Sequence, residues 1–210
     1  MAYLVLVRHG LSEYNKLGLW AGWIDVELAD EGRKEAELTA HKLLDIRFDN
    51  AFTSSLKRAK ETLKLMLPVL QQEYTPITEA KELNERNYGS FAGKNKWQVK
   101  ESLGDEEFMK LRRSWDYPIP DGESLKQVYE RVIPYYQKHI EPLLKEGQNI
   151  LLVSSGNALR ALVKYLEDVP SSEITKLEIG TGEAYVYQID PDGHILNHEV
   201  RGKNLKAGKV

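Results

Sequence analysis

The chain has 210 residues, with 29 Lys and Arg against 32 Asp and Glu, a formal charge of −3, and 41% hydrophobic residues. A globular fold of this length buries roughly 70% of the surface its unfolded chain exposes, so a core forms without a covalent or metal staple. The absence of cysteine excludes a thiol nucleophile, a cysteine zinc site and a disulfide framework, and it makes a reducing, cytoplasmic compartment the default. The near-neutral charge lacks the basic footprint of nucleic-acid binding. The apolar run Tyr3-Leu4-Val5-Leu6-Val7 is too short for a signal-peptide core or a membrane span. Neither nucleic acid nor membrane is an expected partner.

In chain order, residues 3–7 read as a buried strand that breaks at Gly10. Asp30 is placed to cap a helix with Ala36, Ala40, Leu43 and Leu44 on one face. Residues 51–53 form a short strand, and Ser54 and Ser55 offer N-caps to a helix through Leu56, Leu63, Leu67 and Leu70. From Glu85 to about Asp121 the periodicity is lost to aromatic and Gly punctuation, an Arg112-Arg113 pair, Pro118 and Pro120. That stretch reads as an insertion over the core. A helix resumes at about Ser124 with Val128, Val132, Tyr135 and Ile140.

Residues 149–153 are the cleanest buried strand, and after Ser154-Ser155-Gly156-Asn157 a helix opens at Ala158 with Leu159, Leu162, Val163 and Leu166. Residues 184–189 and 195–200 flank Asp190-Pro191-Asp192-Gly193 as a hairpin. Strands alternating with helices predict an α/β fold: a mostly parallel central sheet with helices on both faces and an antiparallel element added late. One domain is expected over residues 1–200, with 201–210 as a basic, flexible tail.

Ligands of such a sheet sit at the carboxyl ends of its strands. Those ends carry Arg8-His9-Gly10, the run from Ser54 to Arg58, and Ser154-Ser155-Gly156-Asn157. Arginines and a histidine on converging loops suit a phosphate, because guanidinium matches its geometry bidentately and keeps its charge. A helix opening at Gly156-Asn157 adds backbone N–H groups and a positive dipole end. A neutral His9 ring nitrogen is a competent nucleophile toward phosphorus, giving a phosphohistidine. For Arg-His-Gly alone, a satisfied strand-end histidine is the commoner outcome, and only the accompanying pattern reverses that.

The opening run Leu4-Val5-Leu6-Val7-Arg8-His9-Gly10 is followed by Ser12, Asn15, Gly22-Trp23 and Asp25. Farther on come Ser55-Leu56 with Arg58-Ala59, Leu83-Asn84-Glu85-Arg86, Tyr88-Gly89, Gly93, Asn95-Lys96 and Arg112-Arg113. In this order the motifs resemble the histidine phosphatase superfamily and, within it, the 2,3-bisphosphoglycerate-dependent phosphoglycerate mutases, over nearly the whole chain. The resemblance implies a phosphoglycerate mutase-like fold and interconversion of 3- and 2-phosphoglycerate in glycolysis and gluconeogenesis. It makes His9 the phosphorylated nucleophile, Arg8 and Arg58 the phosphoryl clamp, and Glu85 the general acid and base. Ser12, Asn15, Ala21, Gly22, Tyr88, Lys96, Arg112, Arg113, Gly156 and Asn157 would join Arg8, Arg58 and Glu85 in lining the substrate site. Lys96 and the arginine pair would grip the carboxylate and the resting phosphate. Trp20 and Trp23 suit packing equally well. The implied primer is 2,3-bisphosphoglycerate and the implied ligands are small phosphorylated three-carbon acids. No metal is implied, and the spacing shows no metal-ligating cluster.

The chain departs from that pattern at Ser155, which stands where the family has its second catalytic histidine, in a general run His-Gly-Asn. His41 and His139 fall in helices and His194 and His198 in the hairpin, so none replaces it. Losing a transition-state donor of this kind costs about 10²- to 10³-fold in rate, so impaired turnover with retained binding is expected. Leu11 stands where the family usually has Glu, a change expected to act on loop packing. The segment over residues 114–123 is shorter than in many members, which leaves monomer and homo-oligomer both open. Lys203, Lys206 and Lys209 would favour closure of the tail over an anionic ligand. Two alternatives to the mutase stand: a histidine phosphatase acting on small phosphorylated metabolites, and a catalytically weak phosphoglycerate-binding protein.

Overall fold

The computed structural model describes residues 1–202; Lys203, Lys206 and Lys209, with the rest of the expected tail, lie outside the described residues. The strands are β1 (Ala2–Arg8), β2 (Asn50–Ser54), β3 (Ile77–Ala80), β4 (Ile150–Ser154), β5 (Ala184–Ile189) and β6 (Ile195–Arg201). They form one sheet in the order β3-β2-β4-β1-β5-β6. The pairings β2–β3, β2–β4 and β1–β4 are parallel, whereas β5 runs antiparallel to β1 and to β6. The expected α/β architecture with a late antiparallel hairpin is what forms. Helices are α1 (Glu13–Lys16), α2 (Asp30–His41), α3 (Lys57–Val69), α4 (Lys96–Leu103), α5 (Asp105–Arg113), α6 (Leu125–His139), α7 (Glu141–Lys145) and α8 (Gly156–Leu166). Among the described residues no helix is long and apolar enough to cross a membrane.

Both sheet faces are covered, which is why β1 and β4 read as unbroken apolar runs rather than alternating ones. Leu4, Leu6, Ile150 and Leu152 pack with Val128 and Val132 of α6 and Leu159 and Leu162 of α8. On the other face Val5, Val7, Leu151 and Val153 meet Ala36 and Ala40 of α2 and Leu63, Met66 and Leu67 of α3. A smaller cluster of Trp20, Tyr88, Val99, Phe108, Leu111 and Ile119 seals the inserted segment onto the body.

Several local expectations are corrected. Helix α2 is capped by Ala29 without a side-chain bond; Asp30 is its first residue and pairs with Arg33 instead. The helix stops at His41, so Leu44 falls in the following turn and is exposed. Ser54 belongs to β2 and Ser55 donates from N and Oγ to Asn84 Oδ1, while the first amide of α3, on Lys57, finds Asp25 Oδ1 at 2.6 Å. Helix α8 opens at Gly156, two residues before Ala158. Strand β6 runs through Arg201, whose guanidinium pairs with Asp45, so the sheet takes the first residue expected in the tail. Strand β3 and helices α4 and α5 had no apolar signature: residues 77–79 are exposed, and α5 buries only Phe108 and Leu111.

The expected cap at Ser124 does form, as a full capping box with Gln127. His194 sits exposed at the hairpin turn and His198 stacks on Tyr187; His41 and His139 end their helices, so these four histidines stay away from the β1 carboxyl end. The loop after β1 lies hard against the start of α2. A Cβ on Gly32 would overlap the Leu11 backbone, with the Leu11 amide nitrogen only 2.6 Å away. Gly32→Ala is expected to lower stability by about 1–3 kcal/mol through overpacking, read as a lower urea midpoint at unchanged slope.

Candidate active site

The carboxyl ends of β1, β2 and β4 open into a cavity of about 480 Å³. Of the residues expected to line the site, Arg8, His9, Asn15, Ala21, Gly22, Arg58, Glu85, Tyr88, Lys96, Arg112, Arg113, Gly156 and Asn157 are all on its wall. Ser12 and Ser155 are not. Ser12 caps α1, exchanging hydrogen bonds with the Asn15 amide and side chain. Ser155 continues the β4 register beside His9, whose amide bonds the Ser154 carbonyl at 2.9 Å. It is fully buried, and its hydroxyl has no hydrogen-bond partner.

Nδ1 of His9 lies 2.7 Å from the Gly10 carbonyl oxygen. In the neutral ring that contact requires the proton on Nδ1 and leaves the lone pair on Nε2. Arg58 donates from Nε to that Nε2 at 3.2 Å, and its other nitrogens reach the Gly22 and Ile24 carbonyls. Burial, then the charges of Arg58 and Arg8, hold the His9 pKa well below 6.5. Arg8 is braced by the Ile179 carbonyl at 2.6 Å, and its buried Nε has no partner.

Glu85 enters on the loop after the Lys81–Leu83 turn, its carbonyl held by Trp23 Nε1 at 2.6 Å and Arg131 Nη2 at 2.9 Å. Its Oε1 accepts from the amides of Arg86 and Asn157 and from Asn157 Nδ2. The Asn157 side chain also reaches Tyr88 OH at 3.0 Å. Lys96 is buried over Trp20, and burial together with Arg112 and Arg8 brings its pKa down to about 8. Trp20 proves to be both packing and cavity wall, tilted against Tyr88, whereas Trp23 is half exposed.

The wall carries seven basic side chains, Arg8, Lys16, Arg58, Lys96, Arg112, Arg113 and Arg160, against four carboxylates, Glu31, Glu35, Glu85 and Glu178. A chain of net charge −3 therefore presents a cationic cavity, and the buried, unpartnered Arg8 Nε suits an anionic ligand. Lys16, Glu31, Glu35, Arg160 and Glu178 were missed, because nothing in their local pattern separates them from ordinary helix and loop charges. Leu11 also reaches the wall, its amide bonded to Glu35 Oε2. Away from the cavity, ligand atoms of Asp190, Asp192 and His194 lie within 4.8 Å of one another, a grouping the spacing had not brought out.

The depressed His9 pKa has a signed consequence. The unfolded chain takes up this proton near the ordinary value of about 6.5, while the folded chain resists it. Folded stability is therefore unaffected by this group above that pH and declines as the pH falls below it. The loss of stability between about pH 7.5 and about pH 5.5 is expected to be smaller in His9→Gln, measured by urea unfolding of both proteins.

The comparisons with known proteins agree with this geometry. The model of the histidine phosphatase superfamily, branch 1, matches residues 4–200. The chain is 43% identical over 199 residues to the 2,3-bisphosphoglycerate-dependent phosphoglycerate mutase of Parvibaculum lavamentivorans, covering 94% of this chain and 95% of that protein. Identity to the mutase of the same name from Cytophaga hutchinsonii is 46% over 188 residues, covering 90% and 88%. Among solved structures, the phosphoglycerate mutase of Bacillus anthracis aligns with a TM-score of 0.72 at 26% identity, covering 95% of this chain and 92% of that one. A mycobacterial glucosyl-3-phosphoglycerate phosphatase reaches 0.83 at 22% identity, covering 97% and 100%, and shares the fold. The chain belongs to the histidine phosphatase superfamily and, within it, to the 2,3-bisphosphoglycerate-dependent phosphoglycerate mutases.

Proposed function

We propose that this protein interconverts 3-phosphoglycerate and 2-phosphoglycerate through a phosphohistidine at His9, and that Ser155 slows its turnover. The observation that carries the reading is the His9 ring, which keeps its proton on Nδ1, meets Arg58 through Nε2 and lies on a cavity walled by arginines. The buried, cationic donor set fits a bisphosphate better than a singly charged ligand. When bound, 2,3-bisphosphoglycerate supplies the phosphoryl group that primes the site.

The residues divide the work as follows. Nε2 of His9 attacks phosphorus, and its displaced contact with Arg58 is replaced by guanidinium contacts to the phosphoryl oxygens from Arg58 and Arg8. Glu85 gives a proton to the departing alcohol oxygen and takes one from the incoming hydroxyl on return. Oε1 of Glu85 is occupied by N–H donors, so the travelling proton belongs on Oε2. Lys96, Arg112 and Arg113 hold the carboxylate and the phosphate that is not reacting. The buried, unpartnered Ser155 hydroxyl supports the impairment: it is a short neutral donor at the position where the family pattern has a histidine ring.

The direct test is conversion of 3- to 2-phosphoglycerate with catalytic 2,3-bisphosphoglycerate, on this chain beside Ser155→His and His9→Ala. Ser155→His is expected to be faster by about 10²- to 10³-fold, and His9→Ala inactive. If neither this chain nor Ser155→His isomerises the substrate, the mutase reading fails and a phosphatase or a binding protein replaces it. A second expectation concerns Lys96. Neutralisation near its lowered pKa of about 8 removes a cation from the anion site, so KM is expected to rise above that pH. In Lys96→Arg, which keeps its charge, the rise is expected to disappear from steady-state profiles.

A further inference from the structure

We propose that Arg160 is a positioning residue for phosphoryl transfer: its guanidinium fixes the amide of Asn157, and Asn157 thereby holds the Glu85 carboxyl in register with the reacting phosphate. The inference rests on the acid–base role proposed above for Glu85. The geometry is a relay of side-chain bonds. Arg160 donates from Nη1 to Asn157 Oδ1 at 2.9 Å. That bond settles which way the amide faces, because a guanidinium offers only donors and Oδ1 is the acceptor of the pair. Nδ2 must then point the other way, where it donates to Glu85 Oε1 at 3.0 Å and to Tyr88 OH at 3.0 Å. With the amide turned over, Oδ1 would face a carboxylate oxygen and Nδ2 a guanidinium, so the bonds to Glu85 and to Arg160 would both be lost.

Arg160 is itself immobile. It is buried, one turn into α8, and its Nη2 donates to the carbonyls of Arg113 at 2.9 Å and Ile174 at 2.7 Å. The same guanidinium therefore joins the end of α5, which presents Arg112 and Arg113 to the cavity, to the acid–base group across from it. A purely structural arginine would need only the two carbonyls. The Asn157 bond is what extends its influence to the chemistry.

The step affected can be written out. The Nε2 lone pair of His9 forms the N–P bond as the P–O ester bond breaks. The released electron pair stays on the leaving oxygen, which takes the proton of the Glu85 carboxyl and leaves Glu85 as carboxylate. An alkoxide needs that proton; a dinitrophenolate is stable without it. Mispositioning Glu85 therefore penalises an alkyl phosphate far more than an activated aryl phosphate.

The test measures single-turnover transfer to His9 at saturating donor, using 2,3-bisphosphoglycerate and 2,4-dinitrophenyl phosphate, on the full chain, Arg160→Met and Arg160→Lys. In Arg160→Met the alkyl-to-aryl rate ratio is expected to fall about 10- to 100-fold, the usual scale for a displaced catalytic group. Arg160→Lys, which keeps a cationic donor of similar reach, is expected to recover most of it. Because the ratio is taken on one preparation, any unfolded fraction cancels. An unchanged ratio in both variants overturns the proposal, whether the separate rates fall together or not. A full chain that accepts phosphoryl groups from both donors but does not isomerise phosphoglycerate refutes the mutase reading alone, and the ratio still decides the role of Arg160. Transfer from neither donor overturns both.

Discussion

The contact between His9 Nδ1 and the carbonyl of its own neighbour Gly10 sets the chemistry of the site, because it decides where the ring's proton resides. With the proton on Nδ1, the second nitrogen carries the lone pair, and Arg58 meets that nitrogen as a donor. Burial and two guanidinium charges then disfavour protonation of the ring, so as the proposed nucleophile it needs no base to release it. The loop that supplies the carbonyl is held against the start of α2, where Gly10 and Gly32 leave no room for a side chain. A nucleophile's tautomer thus depends on the packing of two backbones.

Cations are the second organising element, and they serve two purposes. Arg8, Arg58, Lys96, Arg112 and Arg113 face the cavity. Arg86 behind the wall, and Arg160 on it, take the last carbonyls of α5: Arg86 bonds those of Leu111 and Arg112, and Arg160 that of Arg113. A helix C-terminus carries partial negative charge and unsatisfied carbonyls, so buried guanidinium groups there are doubly favoured. The result is that α5, a short helix with only two buried residues, is docked firmly enough to carry the arginine pair. Positive charge held behind the wall also adds to the field felt by an anion in front of it.

In the proposed function Ser155 divides what the site keeps from what it lacks. Arg8, Arg58, Lys96, Arg112 and Arg113 all stand on the wall, so the cationic binding field is present. Only the donor beside His9 is shortened to a hydroxyl that meets no partner. In the proposed function binding and turnover separate at this position, since charges that bind the ground state and a donor that meets the developing charge are different groups.

The strand runs of β1 and β4, the apolar spacing of α2, α3, α6 and α8, and the hairpin signal at residues 190–193 were legible because burial on a sheet or a helix imposes a period on neighbouring positions. The candidate site residues were legible through the order of their motifs along the chain, and all but Ser12 and Ser155 lie on one cavity wall. Other features carried no local mark: β3 is an exposed edge strand, and Asp25 caps a helix from a distant loop. Arg160 reads as one more charge on a helix until folding sets it against Asn157, Arg113 and Ile174. Sequence alone determined the residue types and their alternation, hence the layers and the core, and it marked out His9 as the candidate nucleophile. Tertiary structure decided the tautomer, the amide orientation and the docking of α5, because each depends on a donor and an acceptor that only the folded chain brings within 3 Å or so.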